Sequence, residues 1–419
     1  MKILIIAQQW RPETGVPQRR GQWMAEHLHE AGHDIQIITS APHYPEGLLN
    51  SDLPEHQPGS VETVRGNVKV HRTGFIPHSQ SIVSRAIDQG VIAFHAIRVA
   101  RKVVHNFKPD LIFATAPPLP AVFSAAVISK LSGVPYVVDL RDAWPDLVPY
   151  IVDSDPYASV RTMRRRKAIQ PAFTIAGRVF EKLLRGSAGI IVTSDGHASI
   201  IAQRYHKKTT VVTNLPLANL DPEPCEVTRD SNEVLEILYT GTVGRAQGLE
   251  TAVVAAKKAK DMGANVHLTI VGTGAHVDFV HALANKIDAP VTIVGRILRE
   301  EMNAYYAKSD TSLVILKAWE PFESTIPSKL FEGIAHNIHI TGSLNGEGAR
   351  LIQESKSGHV VNAEDSDALA QLWVELAQNR ELLKKNEHGR EWLVRRLEET
   401  NPQATFVEFM EGIVRGKEE

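Results

Sequence analysis

Short apolar runs rich in β-branched residues recur along this chain, separated by longer stretches with helical spacing. In the first half the runs are Lys2–Ile6, Ile35–Thr39, Val68–Arg72, Leu111–Thr115, Tyr136–Leu140, Gly189–Thr193 and Thr210–Thr213. Amphipathic patterns over Pro17–Ala31 and Asp88–Phe107 lie between them. A second series follows at Val234–Tyr239, Val266–Val271, Val291–Val294, Ser312–Leu316 and Ile338–Thr341. Strands alternating with helices predict an α/β fold of parallel sheets covered by helices on both faces. Leu215–Asn232, with Pro216, Pro222 and Pro224, reads as a linker between two doubly wound, Rossmann-like domains. Ligands of such folds bind outside the carboxyl ends of the strands, so the expected site is the cleft between the domains. After Asn401-Pro402 the residues Phe406, Phe409 and Ile413 recur at helical spacing.

The length of 419 residues suits two or three domains, and a charged fraction of 22% is that of a soluble globular chain. The single cysteine, Cys225, excludes a disulfide framework and a cysteine-based zinc site, and it fits a reducing compartment. The run after Met1-Lys2 is too short for a signal-peptide core. The longest uncharged apolar stretch, Leu111 to Ser129, is broken by Pro117, Pro118 and Pro120 and does not read as a transmembrane helix. A cytoplasmic protein is expected.

Charge separates the halves. Residues 1–215 hold 25 Lys/Arg against 17 Asp/Glu, a net of +8, and the remainder carries −10. The first half is therefore suited to something anionic. No nucleic-acid-binding signature accompanies the charge, so nucleic acid is not expected; a membrane surface or a phosphorylated ligand is. The cluster Arg161, Arg164, Arg165, Arg166 and Lys167 opens a basic, apolar stretch suited to peripheral docking at the inner face of the cell membrane.

Three motifs are set aside. His29-Glu30-Ala31-Gly32-His33 matches a zinc-protease pattern, but Gly32 stops the helix that both histidines would have to share. Val271-Gly272-Thr273-Gly274 lacks the third glycine of a dinucleotide fingerprint and reads as a tight strand-to-helix turn. Asp153-Ser154-Asp155 resembles a metal-binding D-x-D but reads as a solvated loop.

Two segments carry chemistry. In Tyr239-Thr240-Gly241-Thr242-Val243-Gly244-Arg245-Ala246-Gln247-Gly248, a strand runs into a glycine-rich turn that leads to a helix near Gly248. It offers backbone N–H groups and Arg245 to an anion. In Glu320 to Gly333, Pro327 suits a first helical turn, and Lys329 and Glu332, three apart, share a helix face. A cation near a helix N-terminus suits a diphosphate, and a carboxylate suits sugar hydroxyls.

Together these segments resemble the retaining, two-Rossmann-domain (GT-B) glycosyltransferases of sugar-transferase family 4, over nearly the whole chain. Trp10 to Gly15 looks like the family's loop near the donor phosphates, Val294-Gly295-Arg296 like the loop beside the nucleobase, and Asn345-Gly346-Glu347 like its Gly-Glu turn. Asp139-Leu140-Arg141-Asp142-Ala143-Trp144-Pro145 and Pro327-Ser328-Lys329 resemble the capsule and O-antigen branch that includes fucosamine transferases. The resemblance implies a nucleotide-sugar donor, UDP-linked, and a lipid-linked or oligosaccharide acceptor, with no cofactor and no metal. It implies donor contacts from Gly15, Gly244, Arg245, Arg296, Ser328, Lys329 and Glu332, and catalytic roles for Glu323, Arg245, Lys329, Arg141 and Asp142. Residues 1–214 plus 400–419 would form the acceptor-side domain and 215–399 the nucleotide-sugar domain.

One departure stands out. The family places two glutamates eight positions apart; Glu332 fits the second, but Ser324 stands at the first, with Glu323 one residue off and Glu320 four. Glu323 acting through a shifted loop, or backbone N–H groups, would then meet the sugar. A UDP-sugar 2-epimerase of the same fold and a nucleotide-sugar binder without activity are the alternatives.

Overall fold

A computed structural model of the chain describes residues 1–44, 46–64, 66, 68–79, 82–153, 160–214, 234–383 and 388–416. The expected linker therefore lies outside the described residues. The chain divides into two compact units, Met1–Thr213 with Asn401–Glu419, and Asn214–Thr400.

The first unit is built on strands β1 (Lys2–Ile6), β2 (Asp34–Ser40), β3 (Val61–Val64), β4 (Val68–Thr73), β5 (Leu111–Ala116), β6 (Tyr136–Leu140), β7 (Gly189–Val192) and β8 (Lys208–Val211). They form one sheet in the order β3-β4-β2-β1-β5-β6-β7-β8, parallel except for the β3–β4 pair. The central strands β1, β5, β6 and β7 are buried almost throughout, which is why their sequences are continuous apolar runs. Side chains on one sheet face pack with Ala96, Ala121, Val122, Phe180 and Leu184; those on the other pack with Met24, Leu28, Phe406 and Met410.

The terminal helix Pro402–Arg415 belongs to this second face. Asn401 caps it by accepting the Ala404 N–H at 3.2 Å. Phe406 is fully buried, 5.8 Å from the Phe113 ring and 6.2 Å from Trp23. Gly189 makes the approach possible, since a Cβ there would lie 2.7 Å from the Phe409 ring.

The second unit carries β9 (Leu235–Thr240), β10 (Val266–Val271), β11 (Val291–Val294), β12 (Thr311–Ile315), β13 (His339–Ser343) and β14 (Gly358–Val361). Its sheet is wholly parallel, in the order β11-β10-β9-β12-β13-β14. Leu235, Ile237, Leu268, Ile270 and Leu313 pack against the helices Leu249–Asp261 and Ser366–Gln378, with Trp373 fully buried between them.

Strand order reverses once in each sheet, between β1 and β5 and between β9 and β12. These are the switch points where loops leave to opposite faces and open a crevice at the carboxyl edge. Among the described residues, no helix is long and apolar enough to cross a membrane.

Candidate active site

The switch point of the second sheet gathers both chemistry-bearing segments. β9 ends at Thr240, and Gly241 takes φ +118, a value closed to side chains. Arg245–Gln247 then form a single tight turn before the helix at Leu249, and the Gln247 side chain accepts the Gly244 N–H at 3.1 Å. The turn is buttressed from the β10 side: Val243 exchanges backbone hydrogen bonds with Thr273 and His276, and a Cβ on Gly272 or Gly274 would strike the backbone of Gly241 or Val243. Val271-Gly272-Thr273-Gly274 is thus the tight turn expected, with glycines set by close approach of two loops. The Gly272 N–H donates to Val294, which brings the loop bearing exposed Arg296 to the same edge.

From the other side comes the helix Ser328–Ala335. Pro327 is its capping residue, with Ser328 the first helical residue, one later than the sequence suggests. Lys329 in the first turn lies across Gly241: a Cβ on that glycine would sit 2.6 Å from Lys329 Cε. Its ammonium lies 3.9 Å from the Tyr239 ring centroid and donates to the Tyr239 hydroxyl, which in turn donates to the Thr242 carbonyl at 2.6 Å. Tyr239 is fully buried, and burial raises its phenol further out of the ionising range. Removal from water pushes the Lys329 pKa down to about 7, against the pull of Glu332 one turn on. Lys329, Glu332, Ser328, Gly244 and Arg245 therefore share one edge of this unit.

Glu323 lies in the turn Glu320–Ser324 with its side chain exposed. Its backbone rests on Gly346, φ +69, where a Cβ would fall 2.1 Å from the Glu323 carbonyl oxygen. Ser324, at the position of the missing glutamate, is buried and donates to the Pro321 carbonyl at 3.2 Å. Glu347 is buried in the first turn of the next helix, Gly346–Glu354, with Arg350 3.7 Å away.

In the first unit, Gly15 lies in the loop after β1 and Arg141 in the loop after β6. Gly15 is extended and precedes the helix Val16–Glu30. Arg141, just past β6, donates its Nε–H to the Ala116 carbonyl at 3.2 Å and a second N–H to Pro117, so its buried guanidinium braces the end of β5. Asp142 beside it is pushed upward by burial, with Arg141 opposing. His29 and His33 are not a pair: the helix ends at Glu30, and His33 meets Glu411 of the terminal helix at 3.3 Å. Asp155, and the side chains of Asp153, Arg161, Arg164, Arg165, Arg166 and Lys167, lie outside what is described.

The family model described as glycosyl transferase 4-like domain matches residues 15–214, and that described as glycosyl transferases group 1 matches residues 235–379. The chain belongs to the GT-B glycosyltransferases. It is 25% identical over 438 residues to a glycosyl transferase of Escherichia coli strain K12 named for colanic acid biosynthesis, WcaI, covering 98% of this chain and 100% of that one. Sucrose-phosphate synthase from Thermosynechococcus elongatus superposes with a TM-score of 0.66 at 17% identity, over 99% of this chain and 97% of that one. Anabaena Alr3699/HepE in complex with UDP-glucose gives 0.61 at 13% identity, over 100% and 99%.

Three features of this glycosyltransferase escape sequence reasoning. Tyr239 reads as one more core residue of a strand, yet it is the platform for Lys329. Lys317, just past β12, is buried with Glu250 at 2.8 Å, and its backbone N–H donates to Ala246, tying the two switch-point loops together. Arg20 and Asp139, 119 residues apart, form a fully buried ion pair with Nη2 2.8 Å from Oδ1, and Arg20 also reaches the Thr213 carbonyl at 3.3 Å. A lysine following an apolar strand was the one available signal, and only for Lys317.

Proposed function

We propose that this enzyme is a retaining glycosyltransferase that moves a sugar from a UDP-sugar to a lipid-linked glycan acceptor in the synthesis of a surface polysaccharide. The observation that carries the reading is Lys329 held over Gly241 by Tyr239, at the switch point and in the first turn of a helix. A cation, a glycine that lets backbone approach, and free helical N–H groups are what a departing diphosphate requires. The name of the WcaI relative points to polysaccharide synthesis, and the Alr3699/HepE complex with UDP-glucose points to a UDP-sugar as the type of donor.

In this reading Lys329, Arg245 and the N–H group at Ser328 stabilise charge developing on the leaving diphosphate without a metal, with the turn at Gly244 letting the backbone approach. Glu332 holds the ribose and Arg296 lies beside the base. The acceptor hydroxyl attacks the face that the diphosphate leaves, and a phosphate oxygen takes its proton, so no protein nucleophile is required. Glu323 orients the sugar, its exposed carboxylate replacing the family's first glutamate. Arg141 and Asp142 shape the acceptor side. The protein works in the cytoplasm and docks reversibly on anionic membrane through the Arg161–Lys167 cluster, because a lipid-linked acceptor stays in the bilayer.

A thermal-shift panel of nucleotides and nucleotide sugars tests the reading. Ligands that bind only the native state raise its apparent stability. UDP and at least one UDP-sugar should do so, with no need for a divalent metal. Stabilisation by none of them contradicts the reading.

A further inference from the structure

Away from these loops, the first unit holds a second cluster of reactive side chains. His43 lies in the loop after β2, His78 in the loop after β4, and Asp88 on the helix Ile82–Phe107. One ligand atom from each lies within 4.8 Å of the others. His43 Nε2 is 3.3 Å and His78 Nε2 3.7 Å from the same Asp88 oxygen, Oδ2. His43 and Asp88 are buried.

The outer contacts fix which nitrogen faces inward. His43 Nδ1 is 2.7 Å from the Ala41 carbonyl, and His78 Nδ1 is 2.9 Å from the Ser79 carbonyl. A carbonyl only accepts, so each Nδ1 carries a proton. In the neutral rings both Nε2 lone pairs then point at a carboxylate oxygen. Three electron-rich atoms converge, an arrangement relieved either by a proton on one imidazole or by a metal cation among them. Carbonyl-anchored Nδ1–H groups of this kind orient histidine ligands in metal sites. Two imidazoles and one carboxylate, with a further position left for water, form a donor set suited to zinc. Metal–ligand bonds of about 2.1 Å place tetrahedral ligands roughly 3.4 Å apart, close to the two separations seen.

The surroundings are built to hold the group. Asp88 Oδ1 accepts the Ile76 N–H at 2.9 Å, and the His43 ring stacks on Phe75 at 4.4 Å. Gly47, φ +77, bonds the His43 carbonyl and accepts the His78 N–H, and a Cβ there would lie 2.2 Å from the His78 carbonyl oxygen. Glu13 accepts the N–H groups of His43 and Tyr44, which places a second carboxyl group behind the cluster.

We propose that His43, His78 and Asp88 bind one divalent transition-metal ion of the zinc type, which clamps the loops after β2 and β4 to the helix Ile82–Phe107. This site is separate from the diphosphate-binding residues and does not depend on the function proposed above. The test is titration of chelator-treated protein with Co²⁺, followed by its visible d–d absorption, and with Zn²⁺, followed by thermal unfolding. One equivalent of Co²⁺ should give the bands of a low-coordinate nitrogen and oxygen site, displaced by Zn²⁺, and Zn²⁺ should raise the unfolding temperature. His43→Ala and Asp88→Asn should each weaken binding by at least the ten- to hundredfold known for loss of an outer-shell partner, about the lower bound for a ligand. His78→Ala, which leaves the buried His43–Asp88 pair in place, serves as the variant expected to fold normally and still lose the metal. Absence of Co²⁺ bands and of any Zn²⁺ shift in folded wild-type protein overturns the proposal, as does unchanged binding by folded His78→Ala.

Discussion

Lys329 rests on Tyr239, with its ammonium 3.9 Å from the ring centroid and its proton donated to the phenol oxygen. The tyrosine fixes the height of the cation above Gly241 and withdraws it from water. Tyr239→Phe keeps the ring and removes the hydrogen bond. A neutral hydrogen bond contributes about 0.5–1.5 kcal/mol, so nucleotide affinity should fall by roughly two- to tenfold with the fold intact. Tyr239→Ala should cost far more, because it also empties a core position. Calorimetric titration with UDP measures both.

The same contact gives a pH dependence. The folded Lys329 value, about 7, lies below the ordinary lysine value of 10.5. Between them the unfolded chain binds more protons, so ligand-free protein should gain stability as pH rises through this window. Nucleotide binding should run the other way. The diphosphate needs the ammonium, so affinity should decline above about pH 7 by at most tenfold per pH unit. Lys329→Met should flatten both profiles. An affinity that is level from pH 6 to 9 in wild type would remove Lys329 from the site.

Gly241→Ala should act through Lys329. The backbone at φ +118 resists any side chain, and the new methyl would meet Lys329 Cε. Nucleotide affinity should fall about as far as in Lys329→Ala, and the double variant should be no worse than the worse single one. Additive losses would mean that the two residues act independently.

Glu332→Ala should weaken nucleotide-sugar binding by about ten- to hundredfold, the range for a charge-assisted hydrogen bond of about 1.5–3 kcal/mol. Glu323→Gln should leave UDP affinity unchanged and slow transfer, since its carboxylate is proposed to meet the sugar alone. Wild-type turnover in Glu323→Gln would transfer that role to backbone N–H groups.

The buried pair Arg20–Asp139 makes a prediction about stability alone. Asp139→Asn strands a guanidinium in the core and should destabilise the protein by about 3–5 kcal/mol. Denaturant unfolding reads it directly. A cost near zero would mean that Arg20 finds other anionic partners or reaches water.

Most strands were legible in the sequence because central strands of a parallel sheet are buried on both faces and leave unbroken apolar runs. Edge elements lack that signature. β3 alternates exposed and half-buried residues, β14 is four half-buried residues, and β8 begins at Lys208 rather than Thr210 because its first residues face water. The helix read from Asp88 starts at Ile82. At the site, spacing alone put Lys329 and Glu332 on one helix face, and glycine content marked the turn at Gly241. Pairings between distant segments, Tyr239 with Lys329 or Arg20 with Asp139, are products of strand order, which periodicity does not encode.

The central claim is sugar transfer with the diphosphate held by Lys329. Its most direct measurement is acceptor-dependent release of nucleoside diphosphate from a panel of UDP- and GDP-sugars, with polyprenyl-diphosphate-linked glycans in mixed vesicles as acceptors. Wild-type protein should release UDP only when an acceptor is present, without added metal, and Lys329→Ala should reduce that release by about ten- to hundredfold. Release that needs no acceptor, or that proceeds at the wild-type rate in folded Lys329→Ala, would contradict the account.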